Sequence, residues 1–154
     1  MTLSAGAVAP DFTLPTDGGG SVTLSSLKGQ QVILYFYPKD DTTGCTAEAC
    51  SFRDAEASFR GAKTKVIGIS KDSVASHDKF KKKYELPFTL ASDKDGHVCE
   101  DYGTWAEKSM YGRTYFGIVR TTFLIGADGV ISQVWNKVKV TGHVAEVLKA
   151  AGEV

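Results

Sequence analysis

The chain lacks a long apolar run, an excess of charge of either sign, and any cysteine pair at the two-residue spacing of a metal knuckle or redox couple. Its longest apolar stretches, such as Val32-Ile33-Leu34-Tyr35-Phe36-Tyr37, are of strand length, far short of the roughly 20 residues a membrane-crossing helix needs. Lys+Arg and Asp+Glu each number 18. That balance recommends neither nucleic acid nor an anionic membrane, since both ask for a basic surface. Met1 to Gly6 shows no basic region followed by an apolar stretch, so the expected compartment is the cytoplasm. Three cysteines in 154 residues do not make a disulfide framework there. A chain of this length buries roughly two thirds of its unfolded surface. One domain spanning 1–154 therefore has core enough to fold without a disulfide or metal staple.

What is present reads as alternating elements. Ala9 to Leu14 and Ser21 to Leu24, joined through Asp17-Gly18-Gly19-Gly20, predict an amino-terminal hairpin. Ser25 to Gly29 predicts one helical turn. Val32–Tyr37 and Lys65–Ser70 are unbroken apolar runs, the pattern of strands buried on both faces. Between them, Cys45 to Arg60 carries Ala49, Phe52, Ala55, Ala57 and Phe59 among charges, a helix stopped at Gly61. Asp72 to Tyr84 predicts a lysine-rich helix, Leu86 to Leu90 a short strand, and Gly96 to Tyr102 a short helix. Thr121–Ile125 and Val130–Trp135 flank Gly126-Ala127-Asp128-Gly129 as a hairpin, and Gly142 onward predicts a final helix. The order predicts an α/β fold with a mixed central sheet and helices on both faces, thioredoxin-like with an N-terminal extension.

Chemistry is expected where the first buried strand ends, because sites in open α/β sheets gather at carboxyl ends of strands. Cys45 falls there, in the first turn of the predicted helix, where unpaired amides and the macrodipole favour negative charge. A thiol reacts as thiolate. Thr42 can cap the helix, Gly44 lets backbone amides approach a small ligand, and Pro38 stiffens the loop and shields the sulfur from water. Asp40 and Asp41 oppose a thiolate and are harmless only if they point to solvent. A cation is needed, and Arg120, leading into the buried run Thr121–Ile125, is the best distant candidate. Each residue also has a plainer reading: Cys45 as a small packed hydrophobe, Thr42 as a turn residue, Arg120 as a surface ion-pair residue.

Pro38-Lys39-Asp40-Asp41-Thr42-Thr43-Gly44-Cys45-Thr46-Ala47-Glu48-Ala49-Cys50 resembles the active-site segment of the peroxiredoxins, and within them the Q-type or bacterioferritin comigratory protein subfamily. Pro38, Thr42 and Cys45 match the general motif, and Cys50 matches the subfamily's second cysteine. Trp105 to Ser109, Gly112 to Tyr115 and Gly117 to Ile125 are similar as well, so the resemblance spans nearly the whole chain. Thr43 departs from it, since many members carry proline there. The resemblance implies a thiol peroxidase without metal, haem or flavin. Cys45 would be the peroxidatic nucleophile, Thr42 and the Cys45 amide would bind peroxide, and Arg120 would stabilise the thiolate and polarise the O–O bond. Glu48 would orient its neighbours, or be an ordinary acid favouring the helix dipole.

The resemblance further makes Cys50 the resolving cysteine, in an intramolecular disulfide recycled by thioredoxin or a similar dithiol. Five residues apart on an ideal helix, the two Cα atoms lie about 8.7 Å apart and about 140° around the axis, whereas a disulfide wants Cα atoms within about 7 Å. The helix start must therefore unwind in each cycle. Cys99 is expected to be a packed thiol. Subfamily members are often monomeric, and a monomer is expected. Three other functions stay open at this level: a thiol–disulfide oxidoreductase on the same fold, a metal module using Cys45, Cys50 and a histidine, and a Cys–His hydrolase. His77, His97 and His143 are expected to be surface or cap residues, Trp105 and Trp135 to be core or pocket walls, and Phe36 to line the peroxide entry.

Overall fold

The computed structural model describes residues 2–152. The strands and helices are β1 (Thr13–Pro15), β2 (Ser21–Thr23), β3 (Gln31–Phe36), α1 (Thr43–Gly61), β4 (Thr64–Ser70), α2 (Val74–Tyr84), β5 (Thr89–Ser92), α3 (Val98–Asp101), β6 (Trp105–Met110), β7 (Arg113–Ile118), β8 (Thr121–Ile125), β9 (Ile131–Trp135) and α4 (His143–Gly152). A five-stranded sheet has the order β5-β4-β3-β8-β9. The strands β3, β4 and β5 are parallel, while β8 runs antiparallel to β3 and β9 antiparallel to β8. This is the predicted mixed sheet. The expected helical turn before β3 is a 3-10 turn at Leu24–Leu27, and β5 lies slightly later than its predicted span.

Every residue of β3 is buried because both its edges are paired and both its faces covered. Alternation then sorts the side chains. Val32, Leu34 and Phe36 face a cluster with Ile67, Ile69, Cys99, Tyr102 and the N-terminal residues Phe12, Leu14, Val22 and Leu24. Ile33, Tyr35 and Tyr37 face Ala49, Phe52 and Phe59 of α1, Phe80 of α2, and Val144 and Val147 of α4. One face is thus covered by α1, α2 and α4, the other by α3 and the N-terminal extension. Gly68 of β4 lies in register with Tyr35, and a Cβ there would come within 2.8 Å of the Tyr35 ring. Glycine makes room for that aromatic.

The β6–β7 hairpin occupies a stretch for which the sequence predicts no element. It forms its own two-stranded sheet, turning through Tyr111 and Gly112, both with positive φ, the conformation a two-residue hairpin turn of mirror-image type requires. The local signal is the Tyr111-Gly112 pair. It is weak, because Met110, Tyr111, Tyr115 and Phe116 are all exposed and only Ile118 of the two strands is buried, too little to mark a face.

Candidate active site

The sheet register assembles the site. Thr121 pairs with Phe36, so Arg120, immediately before β8, arrives beside the carboxyl end of β3, where the loop 37–42 leads into α1. The Arg120 head is a fork: Nη2 donates to Cys45 Sγ at 3.3 Å and Nη1 donates to Glu48 Oε1 at 2.7 Å. Gly44 explains the fit, since a Cβ there would stand 3.1 Å from Nη2. Cys45 is 1 % exposed and Glu48 is fully buried, and both lie on the face of α1 that packs on the sheet. A guanidinium N–H and the start of a helix thus converge on one sulfur, and both favour negative charge there.

Glu48 carries the electrostatic strain of this arrangement. Burial pushes its carboxyl up to about 7, against the pull of the Arg120 guanidinium, and its Oε2 has no hydrogen-bond partner among the described residues. For Arg120, burial works against the charge, but Glu48 and Cys45 outweigh it and raise its pKa. Of the two readings of Glu48, the geometry favours the orienting one. The plain readings of Cys45 and Arg120 likewise give way to a paired sulfur and guanidinium.

Thr42 is the N-cap residue of α1, but its side chain does not cap the helix. Its hydroxyl donates to the Lys39 carbonyl at 2.9 Å, which leaves the oxygen's lone pairs as acceptors. Thr42 and Pro38 are both exposed, on the loop in front of the buried sulfur. Cys50 is partly buried, and both cysteines are free thiols on one unbroken helix, as the spacing argument requires.

Several expectations are corrected, and one condition is unmet: Asp40 does not point to solvent but is buried, bonded to Tyr37, Ser76 and His77. Asp41 does lie at the surface, tied to Lys83 and Tyr84. Phe36 packs against Tyr102 and Phe123 on the face away from Cys45, since neighbours on a strand point to opposite sides. Tyr35 and Tyr37 share the Cys45 side instead. His77 and His143 are buried, not surface residues, and only His97 is exposed, held by Asp101. No histidine bonds to Cys45 among the described residues, so the Cys–His pairing of a hydrolase is not built. His77 groups with Asp40 and Asp72 rather than with the cysteines, and hydrogen bonds within the protein already occupy those atoms. Cys99 is buried in α3 as expected, and burial followed by the nearby Asp93 drives its thiol far above the ordinary range.

Comparison with known proteins places the chain in a family. The AhpC/TSA family model matches residues 5–134. A putative peroxiredoxin bcp of Coxiella burnetii is 61 % identical over 148 residues, covering 96 % of this chain and 98 % of that one. A solved structure of Xanthomonas campestris peroxiredoxin Q superimposes with a TM-score of 0.90 at 40 % identity, over 99 % of this chain and 96 % of that one. A second, of the bacterioferritin comigratory protein of the same organism, described for its alkyl peroxide reduction activity, gives 0.89 at 39 % identity over 99 % and 97 %. The chain belongs to the AhpC/TSA family and, within it, to the Q-type peroxiredoxins.

Proposed function

We propose a cycle for this thiol-dependent peroxidase in which Cys45 reduces hydrogen peroxide or an alkyl hydroperoxide and Cys50 resolves the product. The Cys45 thiolate attacks the terminal peroxide oxygen and the O–O bond breaks. Cys45 becomes a sulfenic acid, and the departing alkoxide or hydroxide takes a proton to leave as alcohol or water. The Cys45 amide and Arg120 meet the charge that develops, while Thr42 accepts from the peroxide O–H. Cys50 thiolate then displaces hydroxide from the sulfenic sulfur to form the Cys45–Cys50 disulfide. An external dithiol, thioredoxin or one like it, reduces that disulfide and is itself oxidised. This reading has the monomer working in the cytoplasm, where such dithiols are kept reduced.

The observation that carries the proposal is the guanidinium fork that joins Cys45 to Glu48 at the start of α1. The alkyl peroxide activity of the Xanthomonas relative supports that substrate class here. The test is thiol counting and peroxide turnover with thioredoxin as donor. Cys45→Ser should be inactive. Cys50→Ser should consume one equivalent of oxidant and then stall. Mass spectrometry that finds Cys45 joined to Cys99 or to another chain would replace the resolving step proposed here.

A further inference from the structure

The loop in front of Cys45 is gripped from behind by a buried polar network that the cycle above does not use. The Asp40 carboxylate accepts from the Tyr37 hydroxyl at 2.5 Å, the Ser76 hydroxyl at 2.8 Å and His77 Nδ1 at 2.7 Å. Its own backbone N–H donates to Asp72 Oδ2 at 2.8 Å, an oxygen that also accepts from Ser70. The other His77 nitrogen lies 3.1 Å from the Ala91 carbonyl. An ionised carboxylate and a carbonyl only accept, so beside an ionised Asp40 a ring bonded to both donates from both nitrogens, as an imidazolium does. Burial disfavours that charge, but Asp40 outweighs it and raises the His77 pKa. The pair spans the active-site loop, α2 and β5. A second, exposed anchor follows at once: Asp41, in the left-handed region at φ 59, binds Lys83 and Tyr84 at the other end of α2.

Only four residues separate Asp40 from Cys45. Unwinding the first turns of α1 therefore pulls on a loop pinned at Asp40. We propose that Asp40 and His77 are positioning residues that clamp this loop, favouring the wound helix that meets peroxide and opposing the unwound one that closes the disulfide. The clamp would thereby set how a sulfenic Cys45 divides between closure onto Cys50 and further oxidation to sulfinic acid by a second peroxide, which is reduced to alcohol or water as it delivers its oxygen. This inference rests on the Cys45–Cys50 cycle proposed above.

Four variants test it by rapid-mixing kinetics and mass spectrometry. Tyr37→Phe and Ser76→Ala each delete one bond to Asp40 with little change of shape, His77→Leu deletes the ion pair, and His77→Gln restores a neutral donor. Losing a bond to a buried charge shifts an opening equilibrium by about tenfold. The expected result is slower oxidation of Cys45, faster disulfide closure, a ratio of the two constants changed by about tenfold, and less sulfinic acid at excess peroxide, with His77→Gln between wild type and His77→Leu. Closure that stays the same or slows along with oxidation, in variants that remain folded by circular dichroism, overturns the clamp while leaving the cycle intact. A wild-type protein that forms no Cys45–Cys50 disulfide overturns the cycle, and the clamp with it.

Discussion

At Arg120 one side chain performs two tasks because its planar head offers separate donors at fixed angles. One nitrogen reaches the sulfur while the other is anchored by Glu48, so the donor aimed at Cys45 is held before substrate arrives. A lysine would bring a charge without the fork. Arg120→Lys should therefore lower kcat/KM for peroxide by about 100-fold, the scale seen when one preorganised donor is lost, with the far-ultraviolet circular dichroism unchanged. Steady-state turnover at saturating reductant checks it. Cys45, Thr42 and Arg120 were legible as candidates from residue type and position. The burial of Asp40 was not, because a loop has no periodicity to show which way a carboxylate turns.

The element under most tension is α1. It is intact where its first turn meets Arg120, yet the proposed cycle has it open for Cys50 to reach Cys45. Phe52 marks where opening should stop. It is fully buried two residues after Cys50, stacked on Tyr35 at a centroid distance of 4.5 Å and packed near Phe59 and Phe88. Ala47 is exposed and offers little to hold the first turns. Phe52→Ala should cost about 3–5 kcal/mol of stability in the reduced protein, read from urea unfolding. In its oxidised form, hydrogen exchange should show lost protection running past residue 52, where wild type keeps it. The span of α1 was legible from its spacing of apolar residues; that Glu48 belongs to the buried face was not, since a lone glutamate among alanines reads as solvent-facing.

For the molecule as a whole, His143 ties four elements together. It opens α4, bonds through Nε2 to Thr122 of β8 at 2.8 Å, and packs edge-on against Phe52 of α1 and Trp135 of β9. Burial, aided by the charge of Arg120, lowers its pKa from 6.5 to about 4. An unfolded chain takes up that proton near 6.5 and the folded one only near 4, so the contribution is fully present above 6.5 and is lost as pH falls towards 4. The loss is on the order of 3 kcal/mol. Urea unfolding of wild type and His143→Asn at pH 7, 5.5 and 4 should show wild type's advantage shrinking as pH falls. An advantage that stays constant across that range would mean that the ring protonates as readily in the folded protein as in the unfolded one. The central sheet and its flanking helices were legible as alternating periods, and the family resemblance reached nearly the whole chain. The β6–β7 hairpin was not, because strands in which only Ile118 is buried leave no alternation to read.

The chain's own pattern decided the order of elements outside the β6–β7 hairpin, the two buried faces of β3, and the place of Cys45 at a strand-to-helix junction, because periodicity and turn chemistry are local properties. Tertiary structure alone decided what surrounds that sulfur. Arg120 is 75 residues from Cys45 in sequence and becomes its neighbour only through the antiparallel register of β8 against β3. Asp40 meets His77 only because α2 docks behind the loop. Local pattern tells which face of an element is apolar; it carries no information about which distant element will cover that face.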